Sequence, residues 1–236
     1  MGSKSFFIAL LALATGVALS APAAAQFAGS QGQESIYDQL ERSERYCRND
    51  HGRYSDRRSI AACNDLVGFS RNMPSLGSGQ FRYHVSERDG EVYALLLRGH
   101  AYIRAGRGEE AVEDFDRALT IYRDEPALLF GRCQANVLVN LDRALADCEA
   151  SMRVEPSANA LIGRGVVRLR RREYEAALAD FEQGAALAAY AQYGRGLALT
   201  GLGQTAEGQA EMAAAVAQDE EVAAWFARLG LGAVPE

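Results

Sequence analysis

The chain has 236 residues, with 25 basic and 31 acidic side chains, a formal net charge of −6 and 48% hydrophobic residues. An acidic chain with no basic block at either end is a poor binder of nucleic acid or of an anionic membrane surface. Lys4 is the only lysine, so every basic side chain beyond it is arginine.

Residues 1–25 read as a secretory signal peptide. Lys4 supplies the charged start, Phe6 to Leu19 the apolar run, and Ala23-Ala24-Ala25 the small-residue cleavage site. The apolar run is short for a bilayer span of about 20 residues, and the alternative reading is an uncleaved N-terminal anchor. No cysteine follows the cut to accept a lipid, and Phe6 stands where a myristoylation motif needs Ser or Thr. The short alanine-rich cleavage region is of bacterial type, which predicts secretion across the inner membrane to the periplasm. Four cysteines in a chain with that address predict disulfides. No Cys-x-x-Cys occurs, which argues against a thioredoxin-type redox motif or a zinc ribbon.

Residues 26–33 form a polar, glycine-containing linker. Residues 34–69 are expected to form a first helical hairpin, its first helix spanning Ser35 to about Cys47. Across 70–90 the spacing breaks, with Pro74 and three glycines, and we expect an inserted loop with a short extended piece at Phe81 to Val85. Such a loop is either functional or a mobile connection. From Glu91 to Ala217 the sequence repeats itself. "LLRGHAYIRAGRGEEAVEDFDRAL" starts at Leu96, "LIGRGVVRLRRREYEAALADFEQGA" at Leu161 and "YGRGLALTGLGQTAEGQAEMAAA" at Tyr193. A glycine (Gly99, Gly165, Gly196) precedes a small residue (Ala111, Ala177, Gly208) by twelve, and a bulky one (Phe115, Phe181, Met212) follows four later. A further copy fits with a turn one residue shorter, through Cys133, Ala144 and Cys148, so the glycine position advances by 34, 32 and 31 residues. Residues 218–236 hold a capping helix and tail, with Val222, Trp225, Phe226 and Leu229 on one stripe.

This pattern resembles the tetratricopeptide repeat, whose period is 34 and whose signature includes Leu-Gly, Ala-x-x-x-Phe and a closing proline. Ala111 to Phe115 and Ala177 to Phe181 match the second element, and Pro156 stands where the proline is expected. No copy has the tryptophan of the signature, one lacks the proline and the last has methionine for phenylalanine. The resemblance implies an all-α, right-handed solenoid of stacked helical hairpins with a concave face, closed by the C-terminal helix. The family's carboxylate-clamp pattern of lysine and asparagine is absent, so a chaperone C-terminal motif is not implied.

The same register places the cysteines. Cys47 and Cys63 flank Ser59 as Cys133 and Cys148 flank Ala144: in two copies cysteine takes both the glycine and the bulky position, and in three copies neither. Both positions face the partner helix where a hairpin is narrowest, so the expected bridges are Cys47–Cys63 and Cys133–Cys148. The alternative is four buried thiols. A second pair of columns runs alongside: Arg98, Arg132, Arg164 and Arg195 before the glycine position, and Asp114, Asp147, Asp180 and Glu211 before the bulky one. Both are lost together in the first copy, to Tyr46 and Ala62. This predicts a structural ion pair between helices, within or between repeats, the alternative being an arginine ladder for a ligand.

No catalytic motif emerges. His51, His84 and His100 share no ligand spacing, G-x-S-x-G and H-E-x-x-H are absent, and Gly77 to Gly79 is too short for a phosphate loop. "RLRRRE" at Arg168 to Glu173 reads as a solvated turn. We therefore expect no catalytic, cofactor or metal site. The groove is expected to be lined by Tyr93, Leu96, His100, Ile103 and Arg104; by Phe130, Gln134 and Val137; by Asn159, Ile162, Val166 and Arg170; and by Tyr190, Tyr193 and Leu197. Aromatic residues with arginine are the composition of protein-binding hot spots. The leading expectation is a non-catalytic protein- or peptide-binding scaffold or adaptor of the bacterial cell envelope. The alternatives are an enzyme or enzyme subunit using the groove and the 70–90 loop, or a structural spacer.

Overall fold

A computed structural model describes residues 36–49, 52–72 and 87–232. The leader, the 26–33 linker, the extended piece at 81–85, His51 and His84 all lie outside the described residues. Among those described there are eleven helices: α1 (Ile36–Arg48), α2 (Asp56–Asn72), α3 (Glu87–Arg104), α4 (Gly108–Ile121), α5 (Pro126–Val137), α6 (Leu141–Val154), α7 (Ala158–Arg170), α8 (Tyr174–Gln183), α9 (Ala188–Gly201), α10 (Thr205–Gln218) and α11 (Val222–Arg228). The 70–90 segment is thus narrower than its composition suggests. Helix α2 continues past Gly68 to Asn72 and α3 begins at Glu87, so only 73–86 lies between them.

The first ten helices pair as five hairpins. Each helix packs on its neighbours in the chain, and the first helices of successive hairpins also touch one another: α1 on α3, α3 on α5, α5 on α7, α7 on α9. Successive second helices meet little or not at all, so the stack curves with its first helices inside. Helix starts follow their local chemistry. Pro126 opens α5 at a position where a missing N–H costs nothing. The Asn140 side chain accepts from the N–H groups of Asp142 and Arg143 at the start of α6, and Ser157 accepts from that of Ala160 at the start of α7.

The core repeats one contact. Phe115 and Phe181 are completely buried, and each ring sits between two glycines. A methyl group on Gly99 would lie 2.8 Å from the Phe115 ring, and one on Gly131, in the next hairpin, closer still. Phe181 meets Gly165 of its own hairpin in the same way, at 2.8 Å, and Gly194 of the next. Where cysteine replaces the aromatic residue, a methyl on Gly163 would meet Cys148 Sγ at 2.9 Å. There is therefore a second small-residue column, Gly131, Gly163 and Gly194, two positions before the one read from the repeat. It lets the ring of one repeat dock on the first helix of the next.

The two bridges stand where the register places them. Cys47 is bonded to Cys63 and Cys133 to Cys148, with Cα separations of 4.8 and 5.2 Å, and all four residues are fully buried. The sulfurs occupy the space that a ring and a bare Cα fill elsewhere. Cysteine at both positions is consequently a coupled change, since a phenylalanine at 148 would collide with any side chain at 133.

The arginine and acid columns form a ladder. Arg98 donates to Asp114 through Nε (2.7 Å) and Nη2 (2.6 Å), and Arg132 to Asp147 through Nε (3.0 Å) and Nη2 (2.6 Å). Arg164 and Arg168 both reach the buried Asp180, and Arg195 pairs with Glu211. A two-pronged bond closes the second, third and fourth hairpins, and in the second and third the remaining nitrogen reaches backwards. Arg98 Nη1 donates to Asn64 (3.0 Å) and Arg132 Nη1 to Asp116 (2.6 Å), both in the preceding repeat. The carboxylates raise the pKa of Arg98 and Arg164 further, with the hydrogen bond as the main cause. The first repeat, lacking both partners, instead sets Arg58 over the Tyr46 ring, 4.4 Å from its centroid.

The turns within hairpins explain the shorter third copy. After α3, α7 and α9 the chain passes through one left-handed residue, Gly106, Arg172 or Gly203 (φ of 72°, 60° and 87°). The next N–H then bonds back to the helix: Arg107 to Tyr102, Glu173 to Arg168, Gln204 to Leu199. The turn after α5 omits that residue and uses the Asn140 cap. Arg172 therefore carries a conformation that favours glycine. Arg172→Gly is expected to raise stability by about 1 kcal/mol, read as a higher urea midpoint at unchanged slope.

The ring sockets give a sharper test. Gly131→Ala and Gly194→Ala are expected to cost about 1–3 kcal/mol each, even though alanine is the better helix former. Gly68→Ala in α2, whose added carbon would meet nothing within 4 Å, should be neutral or stabilising by up to about 1 kcal/mol. Equal effects at the three sites in urea denaturation would contradict the socket.

Candidate functional site: the concave face and its terminal helix

Because the first helices face inwards, the residues one position after the glycine column (His100, Gln134, Val166 and Leu197) run along the concave surface. Residues three before it (Leu96, Phe130, Ile162, Tyr193) run beside them. Part of this surface is already covered. Helix α11 does not simply extend the stack beyond α10. It lies against the first helices, inside the curve.

Four sets of contacts place it there. Phe226 is fully buried and stacks on Tyr193 of α9, with centroids 4.9 Å apart, while its ring stands 6.2 Å from Phe181. Trp225 packs edge-on against Tyr190 at 5.3 Å. Arg170, at the end of α7, donates from Nη1 to the Leu229 carbonyl at 2.6 Å. Finally, Trp225, Arg228 and Leu229 wall a cavity of about 200 Å³ with His100, Ile103 and Arg104 of α3 and Gln134 of α5. The helix thus crosses from the last repeat towards the second. Its end is built: Gly230 is left-handed (φ 76°), Leu231 N–H bonds to the Phe226 carbonyl and Gly230 N–H to that of Ala227. A guanidinium on the last-turn carbonyl also suits the negative end of a helix.

The residues expected in the groove therefore divide. Val166, Ile162, Leu197 and Tyr193 are buried, Tyr193 beneath Phe226. Tyr190 is half-buried against Trp225, and burial raises its phenol pKa, with Asp219 adding to the shift. Arg170 is committed to Leu229. Tyr93 is a contact between repeats: its hydroxyl donates to Glu44 of α1 at 2.8 Å, and burial, then Glu44, raises its pKa. Arg104 likewise reaches back to the Cys47 carbonyl at 3.1 Å. Leu96 and Phe130 are half-buried, Phe130 against Gly163 of the next repeat. Val137 belongs to the core, and Asn159 is exposed. His100, Ile103, Arg104 and Gln134 remain together around the cavity.

His100 lies on α3 in the wall of that cavity. It is half-buried, its ring edge-on to Phe115 at 5.5 Å. Burial first, and the Arg104 guanidinium second, lower its pKa from 6.5 to about 4. No group of three or more His, Cys, Asp or Glu that could hold a metal occurs among the described residues. A second, wider hollow of about 610 Å³ opens on the turn edge between Asn140, Leu141, Asp142, Arg171 and Glu173. It is a shallow gap between two hairpin turns, bridged by the Arg171–Asp142 pair, and it stands apart from the groove.

No family model matches the chain, and no curated protein does. Solved structures do. One is a thermophilic TPR protein of Thermus thermophilus, 17% identical, covering 83% of this chain and 98% of the other with a TM-score of 0.61. The chain has the tetratricopeptide-repeat fold. A putative kinesin light chain of Podosopora anserina with nearly identical TPR-like repeats is 15% identical, covering 79% and 96% of the two chains, with a TM-score of 0.53. A tetratricopeptide repeat protein from Parabacteroides merdae is 17% identical, covering 83% and 73%, with a TM-score of 0.50. At these identities the likeness is one of fold. What distinguishes this tetratricopeptide array must be sought in its own residues, above all the sulfur bridges and the terminal helix.

The lowered pKa of His100 sets the sign of a pH effect. A histidine whose pKa is lower in the folded state keeps its full contribution above pH 6.5 and loses it as pH falls from 6.5 towards 4. Over that window the chain is expected to lose up to about 3 kcal/mol at this residue, less in proportion to its ring's access to the cavity. His100→Gln, the residue at the matching position of the next repeat, should remove that part of the slope. Urea unfolding of both chains at about pH 7, 5.5 and 4 measures it.

Proposed function

We propose that this tetratricopeptide array is a non-catalytic scaffold or adaptor that binds a protein or peptide partner in its concave face, in the bacterial cell envelope. The observation that carries the reading is that the groove already holds a peptide helix, the chain's own α11, through aromatic stacking and an arginine-to-carbonyl bond. A surface that seats one short amphipathic helix has the chemistry to seat another. Beyond that helix the groove still presents half-buried Leu96 and His100 with Arg104, and the helix adds its own half-buried Trp225 and exposed Arg228, together the mixture of aromatic, aliphatic and arginine side chains found at interface hot spots. The two disulfides fit an oxidising compartment. Among the described residues no helix is long and apolar enough to cross a membrane.

Site-specific photo-crosslinking in living cells tests this. A photoreactive side chain at Leu96 or Gln134, on the concave face, is expected to give a discrete adduct with an envelope protein. The same group at exposed Glu113, on α4 in the outer layer, should give none. Equal adducts at inner and outer positions, or none at either in correctly localised, bridged protein, would count against a groove-binding scaffold.

A further inference from the structure

We infer that α11 is an intramolecular ligand of the groove, holding the face of the last two repeats until a partner helix of like chemistry displaces it. This deepens the scaffold reading and rests on it. The occupant the groove takes is a short amphipathic helix with an aliphatic residue, an aromatic pair and a second aliphatic residue, in the order of Val222, Trp225-Phe226 and Leu229.

Length is the first ground. Helix α11 has seven residues, far fewer than a helix needs to persist alone in water, so its helical form is itself a product of docking. The docked face is that of a bound peptide. Val222, Phe226 and Leu229, at i, i+4 and i+7, are buried to 2% exposure or less, which is how a helix reads a groove. The groove side supplies matching parts from four repeats: Tyr190 and Tyr193 for the aromatic pair, Arg170 for the terminal carbonyl, and the His100–Gln134 wall of the cavity ahead of Leu229. The cavity shows that α11 fills only part of its track. A longer helix entering by the same route would extend over Gln134 and His100.

The tether is the second ground. Only residues 219–221 join α11 to α10. A connection this short holds a ligand at an effective concentration on the order of millimolar. A free partner then meets a groove open only part of the time, and its apparent dissociation constant rises by the inverse of the open fraction. Binding would therefore be weak until α11 is loosened, by a tighter partner or by a change at the hinge.

The chain carries its own reporter, since Trp225 is its only tryptophan. The experiment uses the full chain and a labelled synthetic peptide of residues 219–232 bearing Trp225→Phe. Binding is followed by anisotropy for the wild type and for Val222→Ala/Phe226→Ala, which weakens α11 and leaves the groove intact. The peptide is expected to bind the double variant at least about tenfold tighter than the wild type, with Trp225 emission red-shifted and far-UV dichroism retained. Equal affinity for both chains, or binding to neither with the fold intact, would overturn the inference. So would a concentration-dependent dimer of either chain, which would assign α11 to a second copy. If the double variant fails to fold, the wild type still decides. In urea, Trp225 emission should change at a lower midpoint than the helical signal, and coincident midpoints would make α11 an integral part of the array. Crosslinking at Leu96 reports on the scaffold reading separately, because that residue is not among those lining the cavity beside α11.

Discussion

At two of the junctions between repeats a flat aromatic ring enters a slot that two glycines leave open. Phe115 fits between Gly99 and Gly131, and Phe181 between Gly165 and Gly194. A solenoid has no central core, so stability accumulates at such junctions, one neighbour at a time. The ring binds two helices at once, the one it faces within its hairpin and the one that begins the following hairpin. Beside it Arg98 and Arg132 of the arginine–acid ladder do the same in polar terms, each with two guanidinium donors turned inwards and the third backwards. A buried carboxylate such as Asp180 is tolerable only because two arginines meet it. The fork geometry that makes this possible is peculiar to arginine.

Much of the architecture is legible in the sequence because it is periodic. The columns of glycine, alanine, bulky residue, arginine and acid recur at a near-constant interval, and a repeat exposes what propensity cannot. The cysteine pairs are readable for the same reason, since a coupled exception to a column is itself a signal. The second glycine column is equally present in the letters, as the glycine immediately before the arginine at Gly131, Gly163 and Gly194. It escapes any reading confined to contacts inside a hairpin, because it serves contacts between hairpins.

Much of the space of the expected groove is taken. Tyr93, Tyr193, Val166 and Arg170 all lie on first helices, yet each is occupied by the chain itself, through Glu44, Phe226, the core and Leu229. The position of α11 has no period and no local motif. It follows from a turn at 219–221 that sends a short apolar stripe back over the concave side instead of onwards. Nor could sequence spacing give the state of His100, which depends on a wall contributed by Trp225 and Leu229, far away along the chain.

The sulfur bridges are unevenly distributed, and the asymmetry has a mechanical consequence. The first and third hairpins are riveted covalently, so the amino-terminal part of the array cannot splay within those units while the bonds last. The fourth and fifth are closed by non-covalent contacts alone, and the last has methionine in place of the aromatic wedge. Under tension or heat, such an array should yield from its carboxy-terminal end, where no covalent bridge backs the lateral brace from Arg170 to Leu229.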